Sequence, residues 1–276
     1  CHIRGKQILY DGGIRIPMIM RCPGKVAPGQ VSEDLVMSID ICATILETAG
    51  IQPSVPLHGK SLLGDAVKQR RYIFAARDKM DETHDAMRAI RSKDFKLILN
   101  LMPERPWCQF NRYKEGAYPM LAEMNVMNLR GQLTLEQAAF FAPTKPDVEL
   151  FDLRNDPDEV HNVADEPRYA KTKAELLAEL DNWRKNVIDD QGVSDDFRAP
   201  GVFSDSCPLT KVDDWVEANV GKYDFNRYGW PAWYPTRTLE EWEQARAAWG
   251  PYVFRGPTDK VPRPQIVHSK KKKRKK

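Results

Sequence analysis

The spacing of apolar and polar residues predicts a chain of short strands with helices between and after them. An apolar run from Ile14 to Met20, bounded by Gly12-Gly13 and by Pro23-Gly24, predicts a buried strand that is entered from a loop. Four later runs, rich in apolar residues, also predict strands, namely Arg71–Ala76, Met87–Ile90, Phe95–Leu99 and Leu150–Leu153.

Apolar residues recur at helical spacing in three places. The first stripe precedes Gly50, which can end a helix, and consists of Leu35, Ile39, Cys42, Leu46 and Ala49. A second helix is predicted from about Lys171 to Lys185, with Leu176, Leu180, Trp183 and Val187 on one face. A third is predicted from Leu239 to Ala248, with Thr238 as its N-cap.

Two long segments do not follow these patterns. Pro103 to Thr144 separates the third and fourth later strands, and an insert of that length is a lid or pocket wall, or else irregular packing. Residues 193–268 hold five of the seven tryptophans. An extension packed onto the parent domain is favoured there over a carbohydrate-stacking platform.

Composition is typical of a globular protein, with 42% hydrophobic and 29% charged residues. No apolar run approaches the length of a membrane-spanning helix, and no signal peptide opens the chain, which begins with Cys1. The net charge is +3, but Lys270 to Lys276 are all basic. Without them 35 basic residues face 39 acidic ones, a balance of −4 (35 − 39), so the basic character belongs to the tail. Such a tail is a solvated terminus or a non-specific contact for polyanions.

Residues Gly5 to Pro17 read Gly-Lys-Gln-Ile-Leu-Tyr-Asp-Gly-Gly-Ile-Arg-Ile-Pro. This order resembles the type I sulfatases of the alkaline phosphatase-like superfamily, in which Gly-Lys, an aromatic and an acidic residue, Gly-Gly and Arg-x-Pro lead into a core strand. The resemblance, which is to sulfatases of sulfated carbohydrates and is heparan N-sulfatase-like, extends over roughly residues 4 to 190. It includes Ser38–Leu46, Ala49–Ile51, Leu57–Leu62, Ala89–Ile98 and Glu149–Asn162.

The resemblance implies an α/β fold with two parts. These are the C-terminal part of an alkaline phosphatase-like α/β sandwich and a small antiparallel-sheet C-terminal subdomain with a packed helix. It also favours a short strand near Leu35–Ser38 and a helix capped by Asp40 over one longer helix. The expected divisions are the end of the catalytic domain in 1–66, the subdomain in 67–190 with its insert 103–144, a Trp-rich extension in 191–269 and the basic tail in 270–276.

Lys6 matches the lysine that contacts the sulfate oxygens in this family. A lysine on its own is usually a solvated side chain, but the motif around Lys6 favours a cation that cancels charge in a dry pocket. Asp11 and Arg15 are expected to hold the loop by an ion pair.

Three further residues are candidates for substrate contact. His2 lies close to Lys6 in sequence, although a loop histidine without a direct role is the favoured interpretation. Asp81 and His84 belong to a predicted polar loop that resembles a segment near the substrate cleft. A solvated loop fits these two residues as well as a contact with sugar hydroxyls does.

The family's cofactors find no counterpart in this chain. Type I sulfatases use a formylglycine made within Cys/Ser-x-Pro/Ala-x-Arg and a divalent cation, calcium in the family pattern, held by carboxylates. None of the five cysteines has that context, and none forms a zinc-type pair or cluster; they are Cys1, Cys22, Cys42, Cys108 and Cys207. The resemblance therefore implies that formylglycine and the metal ligands lie upstream of Cys1, and that this piece by itself is inactive.

Three functions stay open at this point. The resemblance favours a sulfatase acting on a sulfate ester or sulfamate, with a sulfated carbohydrate as substrate and a periplasmic or secreted location. A phosphatase or phosphonate hydrolase of the same superfamily is the second, and a non-catalytic polyanion-binding module is the third. The pattern predicts no specific nucleic-acid partner, because the tail lacks interleaved aromatic residues, and it leaves the oligomeric state open.

Overall fold

The computed structural model describes residues 4–63, 69–80, 83–109, 119–190, 192–193 and 238–248. A 3-10 turn at Pro167–Tyr169 leads directly into the helix that begins at Ala170. Within the described residues the helices and strands are α1 (Asp11–Ile14), α2 (Ile39–Thr48), β1 (Ile73–Met80), β2 (Thr83–Arg91), β3 (Phe95–Asn100), α3 (Pro119–Leu129), α4 (Leu135–Ala139), β4 (Val148–Asp152), α5 (Ala170–Asn186) and α6 (Leu239–Ala248).

The four strands form one antiparallel sheet in the order β1-β2-β3-β4. The four predicted strands after residue 70 are therefore confirmed. β1 and β2 extend further than predicted, to the hairpin end where Met80 pairs with Thr83. The predicted polar loop after Ala76 is wrong, because its described residues continue these two strands.

Helix α5 covers one face of the sheet. Ile90, Leu97 and Leu150 are buried there against Leu176 and Leu180, the buried positions of the helix. On the same face the rings of Phe74 and Trp183 stack, with centroids 4.9 Å apart. Burying such side chains contributes about 1.5–3 kcal/mol each. The predicted antiparallel sheet with a packed helix is thus confirmed.

The opposite face, called the front face below, is covered by the start of the chain and by the end of the insert. Met87, Ala89, Ile98 and Phe151 point from the sheet to this side. They pack against buried residues of the first ten and against a pair of phenylalanines, namely Ile8, Leu9, Tyr10, Phe140 and Phe141. The segment that contains Lys6 is consequently seated on the sheet.

Helix α2 agrees with the predicted helix, and it ends before Gly50, whose φ of +68° is the left-handed conformation that glycine accepts readily. Asp40 is not its N-cap, which is Ser38. Instead the buried Asp40 carboxylate accepts hydrogen bonds from the backbone of Met37 (2.7 Å) and Lys60 (2.8 Å) and pairs with Arg70 (2.6 Å). Its role is to join α2 to the two segments that follow.

Two predicted strands before residue 70 are wrong. Residues 15–20 and 31–37 carry no strand ladder, and the side chains of Ile16 and Ile19 are 71% and 97% exposed. An apolar run becomes a strand only if another strand offers hydrogen-bond partners, and none of the described strands pairs with either segment. Residues 18–22 instead line an apolar groove of about 500 Å³ beside α2.

The insert is partly helical, since α3 and α4 lie within it. α4 begins with a capping box, in which Thr134 and Gln137 bond each other's backbone. The predicted helix at Leu239–Ala248 is confirmed as α6, and its Trp242 packs into a cluster with residues of α3, namely Leu121, Ala122 and Val126. The other tryptophans of the extension and the tail Lys270–Lys276 lie outside the described residues. None of the described helices is long and apolar enough to cross a membrane.

Candidate functional site

Lys6 stands on a turn whose other residues are buried. The turn is closed by a hydrogen bond from the Ile8 amide to the Gly5 carbonyl (3.1 Å). Gln7, Ile8, Leu9 and Tyr10 are all at most 9% exposed, whereas the side chain of Lys6 is exposed. The backbone on both sides is therefore fixed by packing while the cation faces outward.

The backbone of this turn has an unusual conformation. Gln7 has a φ of +84°, in the left-handed region that non-glycine residues seldom adopt. Gly13 in α1 packs so closely that an added Cβ would lie 2.2 Å from the Ile8 carbonyl oxygen and 2.6 Å from that of Gly5. The second glycine of Gly12-Gly13 thus permits α1 to close against the lysine turn.

A buried group of charges fixes the loop to β3. The Lys96 ammonium is fully buried and lies 2.9 Å from Asp11 Oδ1 and 2.7 Å from Glu159 Oε1. Arg91 Nη2 lies 3.3 Å from Asp11 Oδ2, and the Asp11 amide donates to Glu159. The predicted ion pair between Asp11 and Arg15 is wrong. Among the described residues, Asp11 forms its ion pairs with Lys96 and Arg91 instead.

The carboxylates of this group have shifted pKa values. Burial would raise the pKa of Asp11, but Lys96 and then Arg91 outweigh it, so that the pKa lies below its ordinary value. For Glu159 burial prevails over the attraction of Lys96 and raises the pKa. Both carboxylates hold the loop, Asp11 through Lys96 and Arg91, and Glu159 through Lys96 and the Asp11 amide.

A second set of contacts ties the start of the loop to β3 and β4. The Arg4 guanidinium lies 4.0 Å from the centre of the Tyr10 ring and donates to the Glu159 carbonyl. The Tyr10 hydroxyl donates to Glu149, which also accepts from Asn100 Nδ2 at 2.8 Å. Burial, with the neighbouring Glu149, raises the pKa of Tyr10 well above its ordinary value, so the phenol stays a donor.

The other predicted site residues are not brought to Lys6 by the described structure. His2 and Asp81 lie outside the described residues, and of His84 only the backbone is described, in β2 opposite Lys79. The neighbouring Asp85, predicted to be a loop residue, is fully buried on the sheet.

Sequence reasoning missed the buried charges that support the site. Lys96 and Glu149 interrupt apolar runs in β3 and β4, where a charged residue is buried only if it has a partner. A charged residue inside an apolar run is the sequence feature that could have revealed these buried charges. Their partners, however, are 85 and 139 residues away in the chain.

The described residues do not form a metal site. Among them no group of three His, Cys, Asp or Glu side chains is placed to hold an ion. The free cysteines in this part, Cys22, Cys42 and Cys108, do not stand in a formylglycine motif.

Comparison with known proteins places this arrangement in a family. Residues 3–137 match the family described as N-sulphoglucosamine sulphohydrolase, C-terminal. The chain is 37% identical over 188 residues to an ulvan-active sulfatase of Formosa agariphila, a match that covers 68% of this chain and 31% of that protein. It is 24% identical over 187 residues to an N-acetylglucosamine-6-O-sulfatase of Bacteroides thetaiotaomicron, covering 67% and 27%.

The solved structure of a 2-O GAG sulfatase aligns at 21% identity with a TM-score of 0.35, covering 55% of this chain and 25% of that one. The chain spans about a third of the length of the two ulvan-active sulfatases that it matches, 31% and 35%. The family match in residues 3–137 and the ulvan-active sulfatase match over 68% of this chain identify the chain as a C-terminal portion of a member of the sulfatase family.

Proposed function

We propose that the protein to which this chain belongs hydrolyses a sulfate ester or sulfamate on a carbohydrate, and that Lys6 binds the sulfate group. The observation that carries the proposal is the exposed Lys6 on a turn whose flanks are buried and tied to the sheet. The family match supports the reaction class. The relatives named as ulvan-active sulfatase and N-acetylglucosamine-6-O-sulfatase support a carbohydrate as the carrier of the sulfate.

The geometry of the turn suits stabilisation of negative charge. A cation lowers the barrier most when it is already in position as charge develops on the sulfate oxygens. The backbone on either side of Lys6 is held by packing, by the Gly5–Ile8 hydrogen bond and by the Asp11–Lys96 pair. Little reorganisation is then needed when the sulfate arrives.

In this family a formylglycine supplies the nucleophile and a divalent cation, calcium in our proposal, polarises the sulfate. We propose that residues outside this chain provide both, since the chain spans about a third of the length of the ulvan-active sulfatases that it matches. A periplasmic or secreted location is proposed with them, from the family resemblance, and cell fractionation would test it.

The test compares two lysine variants in the longest natural polypeptide that contains this chain. Lys6→Ala is expected to lower kcat/KM for sulfate release by roughly 10²- to 10³-fold, the effect of removing one preorganised charge stabiliser. Lys93→Ala removes another exposed lysine, in the turn between β2 and β3, and should leave the rate unchanged. Sulfate release is measured by ion chromatography on sulfated oligosaccharides.

Near-normal sulfate release by the Lys6→Ala variant would show that Lys6 does not bind the sulfate group. Release of phosphate from phosphate esters, with no release of sulfate, would favour the phosphatase alternative. If neither anion is released, the proposed reaction is wrong, and the chain would belong to a non-catalytic member of the family.

A further inference from the structure

A second cluster of buried charges lies at the end of the β1–β2 hairpin. The Asp85 carboxylate is fully buried and faces three donors. Lys145 Nζ lies 2.6 Å from Oδ1, Gln109 Nε2 lies 2.8 Å from Oδ2, and Arg77 Nη1 lies 3.6 Å from Oδ2. The cluster joins β1 and β2 to Gln109 in the first part of the insert and to Lys145, the residue that directly follows the insert.

A β-bulge creates this cluster. Arg77 pairs with Met87, but Lys79 pairs with His84, so that Asp85 and Ala86 of β2 both lie opposite Asp78 of β1. Regular pairing would place Asp85 opposite Lys79. Bulges re-aim side chains and are common beside functional sites.

One edge of the Arg77 guanidinium is buried in the protein and makes no hydrogen bond to the described residues. The residue is only 8% exposed, and its Nε and Nη2 atoms are buried without a hydrogen-bond partner among the described residues. Nη1 is the atom that faces Asp85. The N–H bonds of Nε and Nη2 are nearly parallel and form the edge that binds two oxygens of one carboxylate or sulfate. A buried donor that lacks a partner is rare in a native protein and calls for an explanation.

The charges around Arg77 also favour an anion. Arg77 and Lys145 share the carboxylate of Asp85, and although Glu149 also attracts Lys145, Asp85 is the acidic group that acts on Arg77. The next acidic residue, Glu149, accepts hydrogen bonds from Tyr10 and Asn100. Burial lowers the pKa values of both Arg77 and Lys145, as expected for cations that are only partly compensated.

The cluster lies on the same side of the sheet as Lys6. Arg77 stands directly opposite Met87, and residues directly opposite each other in an antiparallel pair point to one face. Met87 belongs to the front-face core, together with Ile8, Leu9 and Tyr10. Arg77 therefore lies on the side of the sheet that the lysine turn covers.

We propose that the Nε/Nη2 edge of Arg77 is a second anion-binding site, which takes a carboxylate or sulfate group carried by an acidic sugar. Because the edge is buried, the ligand is a single charged group of the sugar and not its ring. The role as a substrate subsite rests on the proposed sulfatase function, whereas anion binding at Arg77 does not.

The first experiment observes Arg77 directly in the unmodified chain. The Nε–H resonance is followed by NMR during titration with sodium sulfate, with sodium glucuronate and with sodium chloride at matched ionic strength. A saturable shift with sulfate or glucuronate, but not with chloride, is expected, and the anion that causes it identifies the preferred group. A resonance that responds to none of the salts, or to all alike, would overturn the proposal.

The second experiment uses Arg77→Lys in the longest natural polypeptide that contains the chain, with Arg71→Lys as the control, since the Arg71 side chain is 75% exposed. Loss of bidentate binding should raise KM for a sulfated oligosaccharide that carries a second acidic group by roughly 10- to 100-fold. Turnover of 4-methylumbelliferyl sulfate, which lacks that group, should be unchanged. Equal loss on both substrates would mean that Arg77 is only structural. If wild-type protein turned over neither substrate, the sulfatase proposal would fail while the NMR result would still decide anion binding.

Discussion

Single residues around Lys6 determine the shape of the turn that presents it. Gln7 has a backbone conformation that costs on the order of 1 kcal/mol for a non-glycine residue, and it is retained inside a packed environment. Gly13 is needed for a different reason, because any side chain at its position would meet the carbonyl oxygens of Gly5 and Ile8.

Gly13→Ala is expected to lower the free energy of unfolding by about 1–3 kcal/mol, the usual cost of forcing extra atoms into a packed site. The added Cβ must push away backbone and not a flexible side chain, so relaxation is limited. Urea denaturation followed by circular dichroism would measure the change.

Gly12→Ala is the matched control, since a Cβ at Gly12 meets nothing within 4 Å and alanine favours the helical conformation. Its stability should equal or slightly exceed that of the wild type. Equal effects of the two substitutions would show that the close approach of Gly13 has no energetic consequence.

Part of this site could be predicted from local sequence and part could not. Lys6 and the glycines were found because the motif Gly-Lys followed by Gly-Gly is contiguous. Lys96 and Glu159 could not be assigned to the loop, because ion pairs between distant segments leave no periodic signal. Asp40 shows the same limit, since its backbone and Arg70 partners outweigh the capping role that its position suggested.

At the scale of elements, helices with a regular apolar stripe were predicted well and isolated apolar runs were not. Leu176 and Leu180 of α5 repeat at helical spacing and are buried on the sheet. The run from Ile14 to Met20 is equally apolar, but apolar character does not provide the neighbouring strand that a ladder requires. Its side chains are exposed in the described structure for that reason.

Helix α6 depends on its contact with α3. Ten residues are too few for a stable isolated helix, so its order must come from packing. Trp242 supplies that packing, with only 7% of its surface exposed. The ion pair between Arg246 and Glu123 lies at the rim of the contact, where such pairs contribute little.

Trp242→Ala is expected to remove about 3–5 kcal/mol from this packing and to detach α6. Hydrogen exchange of the amides in Leu239–Ala248 should become fast, while exchange in the four strands stays slow. Gln244→Ala, at an exposed position of the same helix, should leave the hydrogen exchange of both the helix and the strands unchanged. Unaltered protection of α6 in Trp242→Ala would show that other contacts hold the helix.

At the scale of the whole molecule, acid stability depends on carboxylates whose pKa values are lowered on folding. Asp152, at the end of β4, accepts two hydrogen bonds of 2.7 Å from Arg154 and one from the Tyr169 hydroxyl. Arg154 first and then Tyr169 lower the pKa of Asp152 to about 2. A lowered folded-state pKa stabilises the protein fully above the ordinary value of 3.8, and this contribution is lost as the pH falls towards 2.

Asp152→Asn is therefore expected to lower the free energy of unfolding by about 1–2 kcal/mol at pH 7, a value reduced because Arg154 is half-exposed. The difference from wild type should shrink as the pH falls from 4 to 2. Urea denaturation at a series of pH values measures it. Asp165→Asn, at a carboxylate that is 99% exposed, should show no such trend with pH. A difference in unfolding free energy between Asp152→Asn and wild type that stays constant with pH would contradict the role assigned to Asp152.

The contact between Asp11 and Glu159 also has a consequence for biosynthesis. The two residues are 148 positions apart, so the anchor of the lysine turn does not exist when the turn leaves the ribosome. At a typical rate of 5–20 residues per second, the ribosome needs roughly 7–30 s to make the remaining partner. During that interval the nascent chain carries apolar Ile8 and Leu9 without the sheet that later buries them, and we expect chaperones to bind this short segment then.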